Sequence, residues 1–195
     1  MENRNVLIVG VGGQGSLLAS RILGALFVGR GLDTKLSEVH GMSQRGGSVI
    51  TYIRAGERID SPLVGEGEAD LVISFEALES LRYAHYLKKG GTLVTSEQEI
   101  MPMPVITGAA EYPKDIWERL NAYGIRVVRF DAMAAAEKAG NAKAANVALL
   151  GAASHILGGS EEEWEAIIRA TVPAKFADVN CKAFAFGAEA AKNGD

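Results

Sequence analysis

The sequence is poor in cysteine, with Cys181 as the only one among 195 residues. A single cysteine forms no internal disulfide bond, and it cannot ligate an iron–sulfur cluster alone, because such clusters are held by several thiolates. The three histidines, His40, His85 and His155, lie far apart and show no metal-ligand spacing. We therefore expect a chain that holds no metal of its own, in which Cys181 is a small, partly buried side chain.

Basic residues are not in excess, since 20 Lys and Arg stand against 24 Asp and Glu and the net charge is −4. No run of basic residues is long enough to form a nucleic-acid-binding stripe. Long apolar runs are missing as well. The first, at 6–9, is short and ends at a glycine, so it fits neither a secretory signal nor a membrane span. These absences predict a cytoplasmic protein with no nucleic-acid or membrane partner.

What the chain does contain is 48% hydrophobic residues and 23 glycines, a composition typical of a compact α/β fold with many turns. The apolar patterns predict strands at 6–9, 34–39, 48–54, 69–75, 91–96 and 125–131, and helices from 16 and at 76–87, 113–122, 144–157, 161–170 and 175–192. Residues 58–60 are expected to pair back as a hairpin arm, 88–91 to end a helix, and 101–104 to form a loop. The order predicts one domain over 1–195, a Rossmann-like three-layer sheet with an inserted β-hairpin and C-terminal helices.

Four glycines lie between the first strand and the first helix, in the spacing Gly10-x-Gly12-x-x-Gly15. The start of a helix has backbone N–H groups without partners and a partial positive charge, so a phosphate or carboxylate is its natural ligand. In the alternative interpretation, the glycines only let helix and strand pack closely. A dinucleotide site would also need an acidic residue at the end of the second strand, where Glu38 stands.

A second glycine-rich loop follows the second strand and reads His40-Gly-Met-Ser-Gln44-Arg45-Gly46-Gly47. An ordinary nicotinamide-binding domain does not need such a loop. Because loops at the carboxyl ends of strands line the crevice of an open sheet, we expect it to face the first loop. Arg45 would then offer a two-pronged donor for a phosphate or carboxylate. Alternatively, Arg45 pairs with a local acid such as Glu38.

The two loops, at this separation and in this order, resemble the indolepyruvate:ferredoxin oxidoreductase beta subunits, and more broadly the gamma subunits or domains of the 2-oxoacid:ferredoxin oxidoreductases. A later block, 140–151, resembles the asparagine-bearing helix of that family through Asn146. The likeness spans essentially the whole chain. The His-Gly-Met-Ser-Gln form of the second loop points to the aryl 2-oxoacid branch.

This resemblance implies a subunit of an enzyme that oxidatively decarboxylates indolepyruvate or other aryl 2-oxoacids, forms an acyl-coenzyme A and reduces ferredoxin. It places thiamine diphosphate, magnesium and the [4Fe-4S] clusters on a large partner subunit, and it leaves this chain inactive alone. The share implied for this chain is to position coenzyme A and substrate and to complete the active site.

The resemblance also implies a set of site residues. Those expected to bind coenzyme A or substrate are Gly12, Gly13, Gln14, Gly15, Gln44, Arg45, Gly46, Gly47 and Asn146. The first four would meet an anionic group such as a coenzyme A phosphate, and Gln44 and Arg45 would lie at the edge of the shared active site. Asn146 would bond the ligand or the loop, or serve as a structural amide. His40 is the one candidate for proton transfer, with an ordinary pKa of about 6.5.

Several features keep two interpretations open. Glu76 is either a ligand contact at the carboxyl edge of the sheet or a carboxylate favoured in the first turn of its helix. The acidic run 161–163 after Ser160 is expected to form a capping box. Two rival functions remain: a stand-alone NAD- or FAD-dependent oxidoreductase, and a non-catalytic module that binds coenzyme A or another anion.

Overall fold

The computed structural model describes residues 4–40 and 47–193, and the described residues form a six-stranded sheet. Its strands are β1 (Arg4–Val11), β2 (Asp33–His40), β3 (Ser48–Gly56), β4 (Ala69–Ser74), β5 (Leu87–Ser96) and β6 (Arg126–Phe130). In space they follow the order β2-β3-β1-β4-β5-β6. Strands β1, β4, β5 and β6 are parallel to one another, whereas β3 is antiparallel to both β1 and β2. The antiparallel insertion in the sheet is therefore the β2–β3 pair.

Strand β1 is central and covered on both faces. Its side chains alternate, with Val6 and Ile8 in one apolar cluster and Leu7 and Val9 in the other, and all four are fully buried. Each such side chain contributes about 1.5–3 kcal/mol through its removal from water. The continuous apolar run that predicted the strand is thus the signature of a strand between two layers.

Helices cover both faces of the sheet, which confirms the predicted three-layer α/β fold. They are α1 (Ser16–Gly29), α2 (Ala77–Tyr83), α3 (Met103–Ile106), α4 (Ile116–Ala122), α5 (Ala132–Ala139), α6 (Ala145–Leu157), α7 (Glu161–Thr171) and α8 (Ala177–Asn193). Helices α1, α5, α6, α7 and α8 contribute to one apolar cluster, and α2 and α4 to the other. Among the described residues, none of the helices is long and apolar enough to cross a membrane.

Helices α6 and α8 approach each other through two glycines. A Cβ atom added at Gly151 would lie 2.0 Å from Phe184 O, and one added at Gly187 would lie 1.8 Å from Ala148 O. Both distances are far below van der Waals contact, and the opposing atoms belong to backbone. The two helices therefore pack backbone against backbone at these positions.

Arg30 ties together the ends of three helices. Its guanidinium donates to Leu157 O and Gly158 O at the end of α6, each over 2.9 Å, and makes two further 2.9 Å bonds to the Glu163 carboxylate in α7. Ser160 Oγ accepts the Glu163 N–H over 3.2 Å, so the predicted N-cap is confirmed. The Glu163 carboxylate pairs mainly with Arg30, and its interaction with the Ser160 backbone N–H, the reciprocal half of the predicted capping box, also lowers the pKa of Glu163.

We expect Arg30→Ala to lower the free energy of unfolding by about 2 kcal/mol, because it removes several charge-assisted hydrogen bonds and leaves the carbonyls at the end of α6 without the donor they have in the native protein. The hydrogen bonds with Arg30 are the main cause that lowers the pKa of Glu163. Stability from a lowered carboxyl pKa is present at neutral pH and lost as the pH falls through that pKa. In urea unfolding, the difference in free energy of unfolding between wild type and Arg30→Ala should therefore be smaller at acidic pH than at neutral pH.

The control for this prediction is Arg58→Ala, which removes an ion pair with Asp60 in which both side chains are more than four-fifths exposed. An exposed pair of this kind contributes little, so the change should stay within about 0.5 kcal/mol. Equal losses for the two variants would contradict the role assigned to Arg30.

Four local predictions are wrong. Residues 58–60 form no strand, because Ile59 is buried and its N–H donates to Asp33 Oδ2 over 2.8 Å. Residues 88–91 lie within β5, where they bulge between the pairs Ala69–Leu87 and Leu71–Thr92, and α2 accordingly ends at Tyr83. Helix α4 begins at Ile116 rather than 113, and the expected loop at 101–104 contains the start of α3. Cys181 is partly buried as predicted, and this burial raises the pKa of its thiol.

Candidate anion-binding site

The first glycine loop turns the chain sharply from β1 into α1. Gly13 and Gly15 have φ angles of 105° and 87°, in the left-handed region that residues with side chains rarely adopt. Asn146, at the start of α6, donates from Nδ2 to Gly15 O over 3.1 Å. A Cβ added at Gly15 would lie only 2.5 Å from that nitrogen. Of the roles left open for Asn146, the structure shows contact with the loop.

The Gln14 side chain folds back beneath its own loop. Its Oε1 accepts the Val11 N–H over 2.7 Å, and its Nε2 donates to Phe75 O and to Gln98 Oε1, each over 2.9 Å. Both amide hydrogens are thus used within the protein. Gln14 shapes the site by joining the ends of β1, β4 and β5, and its amide could reach a ligand only by giving up these bonds.

Backbone N–H groups at the start of α1 are available to a ligand. Those of Gly13, Gly15, Ser16 and Leu17 donate to no described residue, no side chain caps the helix, and its first turn contains no acidic residue. Such groups, together with the helix dipole, favour a phosphate or carboxylate. Gly12 was also expected to contact the anion, but its N–H donates to Gly47 O over 2.9 Å.

A cavity of about 480 Å³ adjoins these groups. Its walls are the first glycine loop, Phe75 after β4, Ser96 at the end of β5, and the segment 142–149 that begins α6. Lys143, an exposed residue, lines the cavity as well and brings a cation to it. The combination of unpaired N–H groups, a cation and partly apolar walls suits an anionic molecule with an apolar portion.

The position of this cavity follows from the topology. Strand β1 leads into α1 on one face of the sheet, and its parallel neighbour β4 leads into α2 on the other face. Helices that diverge in this way open a crevice between the carboxyl ends of the two strands, which is where open α/β sheets bind their ligands.

The second glycine loop joins β2 to β3 beside the first. Gln44, Arg45 and Gly46 lie outside the described residues, as does the side chain of His40, so their predicted roles stay predictions. Gly47 is described, and its carbonyl accepts the Gly12 N–H. The predicted proximity of the two loops is confirmed at this contact.

The geometry of a dinucleotide-binding site is absent from the described part of the chain. Strand β3 separates β2 from β1, so Glu38 does not stand on the strand next to the first glycine loop. Its Oε2 accepts from Ser16 Oγ and Thr51 Oγ1, each over 3.3 Å. Glu38 is therefore already engaged by neighbouring side chains at the position expected to hold a ribose.

A second cavity, of about 570 Å³, lies between α2 and the segment 100–113. The buried Glu76 on its wall is the N-cap of α2, and its carboxylate accepts from the N–H groups of Glu79 and Ile100 and from the Tyr112 hydroxyl over 2.6–3.0 Å. Burial and the bond to Glu76 raise the pKa of Tyr112. Of the two interpretations of Glu76, the structure supports the helix-capping one.

Sequence reasoning missed several residues of the two cavities, notably Gln98, Lys143, Ser48 and Glu79. Nothing in the local sequence distinguishes Gln98, Lys143 and Glu79, which reach the two cavities only through the tertiary fold. Ser48 directly follows Gly47, but its bond to Glu79 is a tertiary contact. Within the described ranges, no group of three or more His, Cys, Asp or Glu side chains could hold a metal ion.

Comparisons with known proteins agree with these observations. The family profile for pyruvate ferredoxin/flavodoxin oxidoreductase matches residues 5–190. The chain is 46% identical to indolepyruvate oxidoreductase subunit IorB of Thermococcus kodakarensis and 44% identical to that of Pyrococcus horikoshii, in each case over 98% of both chains. Among solved structures, the gamma subunit of a keto/oxoacid ferredoxin oxidoreductase from Geobacter sulfurreducens superposes with a TM-score of 0.72 at 23% identity, covering 97% of this chain and 99% of that one.

The solved structure supports the fold, and the IorB relatives support the function. They confirm the prediction of an oxidoreductase subunit of the 2-oxoacid:ferredoxin type, on the indolepyruvate branch. On this evidence, and with two glycine loops in contact at the carboxyl edge of its sheet, the chain belongs to the pyruvate ferredoxin/flavodoxin oxidoreductase family.

Proposed function

We propose that this chain is the small subunit of a thiamine-diphosphate-dependent enzyme that converts indolepyruvate or another aryl 2-oxoacid to its acyl-coenzyme A and reduces ferredoxin. Support comes from relatives named as subunits of indolepyruvate oxidoreductase. A single cysteine cannot hold a cluster. The clusters are therefore assigned to the large partner subunit, and thiamine diphosphate and magnesium are assigned there because the family resemblance implies it.

Within that complex, the chain binds an anionic group of coenzyme A at the start of α1. The observation on which this rests is that Gly13 and Gly15, whose N–H groups donate to no described residue, line one cavity together with Lys143. A phosphate placed there would accept several backbone hydrogen bonds and pair with the ammonium group. Apolar walls contributed by Leu18, Phe75 and Leu149 would cover a less polar part of the molecule.

The second glycine loop places the other reactant. Gly47 joins it to the first loop through the Gly12 N–H, and Gln44 and Arg45 of the same loop are the residues expected at the shared active site. The chain thereby completes the active site by orientation, and no described side chain of this subunit needs to form a covalent bond with substrate.

The prediction that tests this function is that Lys143→Ala raises the KM for coenzyme A about tenfold, equivalent to about 1.4 kcal/mol, with kcat little changed. The variant would be co-expressed with the large subunit, and reduction of ferredoxin or viologen followed with indolepyruvate, phenylpyruvate and pyruvate, each with and without coenzyme A.

Lys89→Ala is the matched control, because it removes an equally exposed lysine from β5, away from either cavity. The proposal is supported if activity needs both chains and prefers an aryl substrate. It also requires that the KM for coenzyme A rises in Lys143→Ala but not in Lys89→Ala. A chain that binds coenzyme A but leaves the rate of the large subunit unchanged would instead favour the non-catalytic binding module.

A further inference from the structure

Glu79 in α2 is a buried carboxylate next to the end of the second glycine loop. It is 4% exposed, and its Oε2 accepts from Ser48 Oγ over 2.5 Å. On its other side, Oε1 lies 3.3 Å from Arg82 Nε. The Tyr83 hydroxyl lies 3.1 Å from the same Ser48 oxygen. Both acidic oxygens are thus occupied, one by the first residue of β3 and one by a cation on its own helix.

Ser48 connects this carboxylate to both glycine loops. It directly follows Gly47, whose carbonyl accepts the Gly12 N–H over 2.9 Å. A continuous path of covalent and hydrogen bonds therefore runs from Glu79 through Ser48 and Gly47 to the first loop. Helix α2, which lies on the opposite face of the sheet from α1, is coupled in this way to the geometry of the site.

We propose that Glu79 is a positioning residue: through Ser48 it fixes the start of β3, and so sets the placement of Gly47 against Gly12 of the first glycine loop. The inference rests on the proposed function, in which the two loops together place the reactants. Glu79 acts through Ser48 and needs no contact with the ligand itself.

The ionised form of Glu79 performs this role, since a carboxylate accepts from Ser48 and pairs with Arg82. Burial raises the pKa of Glu79, the charge of Glu76 adds to this, and the Ser48 bond and Arg82 oppose it. Among the described residues, Tyr83 on α2 and Glu111 across the second cavity are further titratable groups around it. A raised pKa means that Glu79 takes up its proton at a higher pH than an ordinary glutamate, so positioning is lost as the pH falls.

The test is Glu79→Gln in the complete complex with the large subunit, with kcat and KM for the 2-oxoacid and for coenzyme A measured across pH. The amide is isosteric with the protonated acid at every pH. We expect kcat/KM at neutral pH to fall roughly tenfold, mainly through KM, because a small displacement of a positioning loop misplaces the reactants. The decline of kcat/KM in acid should become shallower, since the titrating group is gone.

Glu68→Gln is the control: this exposed carboxylate also holds a loop, accepting the Gly65 N–H over 3.0 Å, but it lies before β4 at the opposite edge of the sheet. Ser48→Ala should reproduce the KM effect of Glu79→Gln, and the double variant should be no worse than either single one. If Glu79→Gln fails to fold, the KM values of Ser48→Ala alone test the proposal.

The proposal would be overturned if either Glu79→Gln or Ser48→Ala showed the same kinetic constants and pH profile as the control variant Glu68→Gln. If Lys143→Ala still raises the KM for coenzyme A in that case, only the role of Glu79 fails. If Lys143→Ala also has no effect, the proposed function of the site fails with it.

Discussion

Gly187→Val should be the most destabilising single substitution considered, lowering the free energy of unfolding by about 3 kcal/mol or more. The reason is the contact between α6 and α8. Even the first carbon of a side chain at Gly187 would lie 1.8 Å from Ala148 O and 2.6 Å from the carbonyl carbon of the same residue. These are backbone atoms of a helix, which cannot rotate aside, so the two helices must separate and expose apolar surface. Urea unfolding of the purified chain measures the loss.

Gly29→Ala is the control for helix glycines in general. Gly29 is the last residue of α1, and an added Cβ there would meet no atom within 4 Å. Alanine restricts the unfolded chain more than glycine does, so this variant should be stabilised by about 0.4–1 kcal/mol. A Gly187→Val protein as stable as wild type would show that α6 and α8 do not pack as described.

Gln14→Glu should weaken both the stability of the chain and its affinity for an anion. A carboxylate at this position can still accept from Val11 N–H, but it can no longer donate to Phe75 O and Gln98 Oε1. Leaving a partly buried acceptor without its donor costs about 1–3 kcal/mol, and a negative charge now faces the start of α1. We expect an unfolding deficit of about 2 kcal/mol, and a rise of at least about tenfold in the KM for coenzyme A in the complex.

Gln98→Glu separates these two effects. It adds the same charge to the same cavity, but its carboxylate still accepts the bond from Gln14 Nε2. The stability should therefore stay close to that of wild type, whereas the affinity for coenzyme A should fall. If both variants lose stability equally, the hydrogen-bond direction assigned to Gln14 is wrong. If neither changes the KM for coenzyme A, the anion does not bind at this cavity.

Local sequence was sufficient where the chain's own pattern sets the structure. The apolar run at 6–9 predicted a strand, and the longer run at 69–75 predicted a central strand, because residues buried on both faces of a sheet must all be apolar. The glycines that follow predicted a tight turn into a helix, and Ser160 predicted a helix cap, since both depend on neighbours within a few residues. Where two patterns compete locally the prediction was wrong: 88–91 has the basic residues and glycines of a helix end, yet it bulges within β5 because Leu87 already pairs with Ala69.

By itself the sequence determined the layer architecture, the two glycine loops and the family, because periodicity and motif residues are properties of short segments. Only the tertiary structure decided that β3 lies between β1 and β2, and that the Glu38 carboxylate is engaged by Ser16 and Thr51. It also decided that Lys143 lines a cavity with the first loop, that Asn146 bonds Gly15, and that Glu79 reaches Ser48. These pairs are distant along the chain, and contacts between them follow from how strands are ordered and helices packed, which no local pattern encodes.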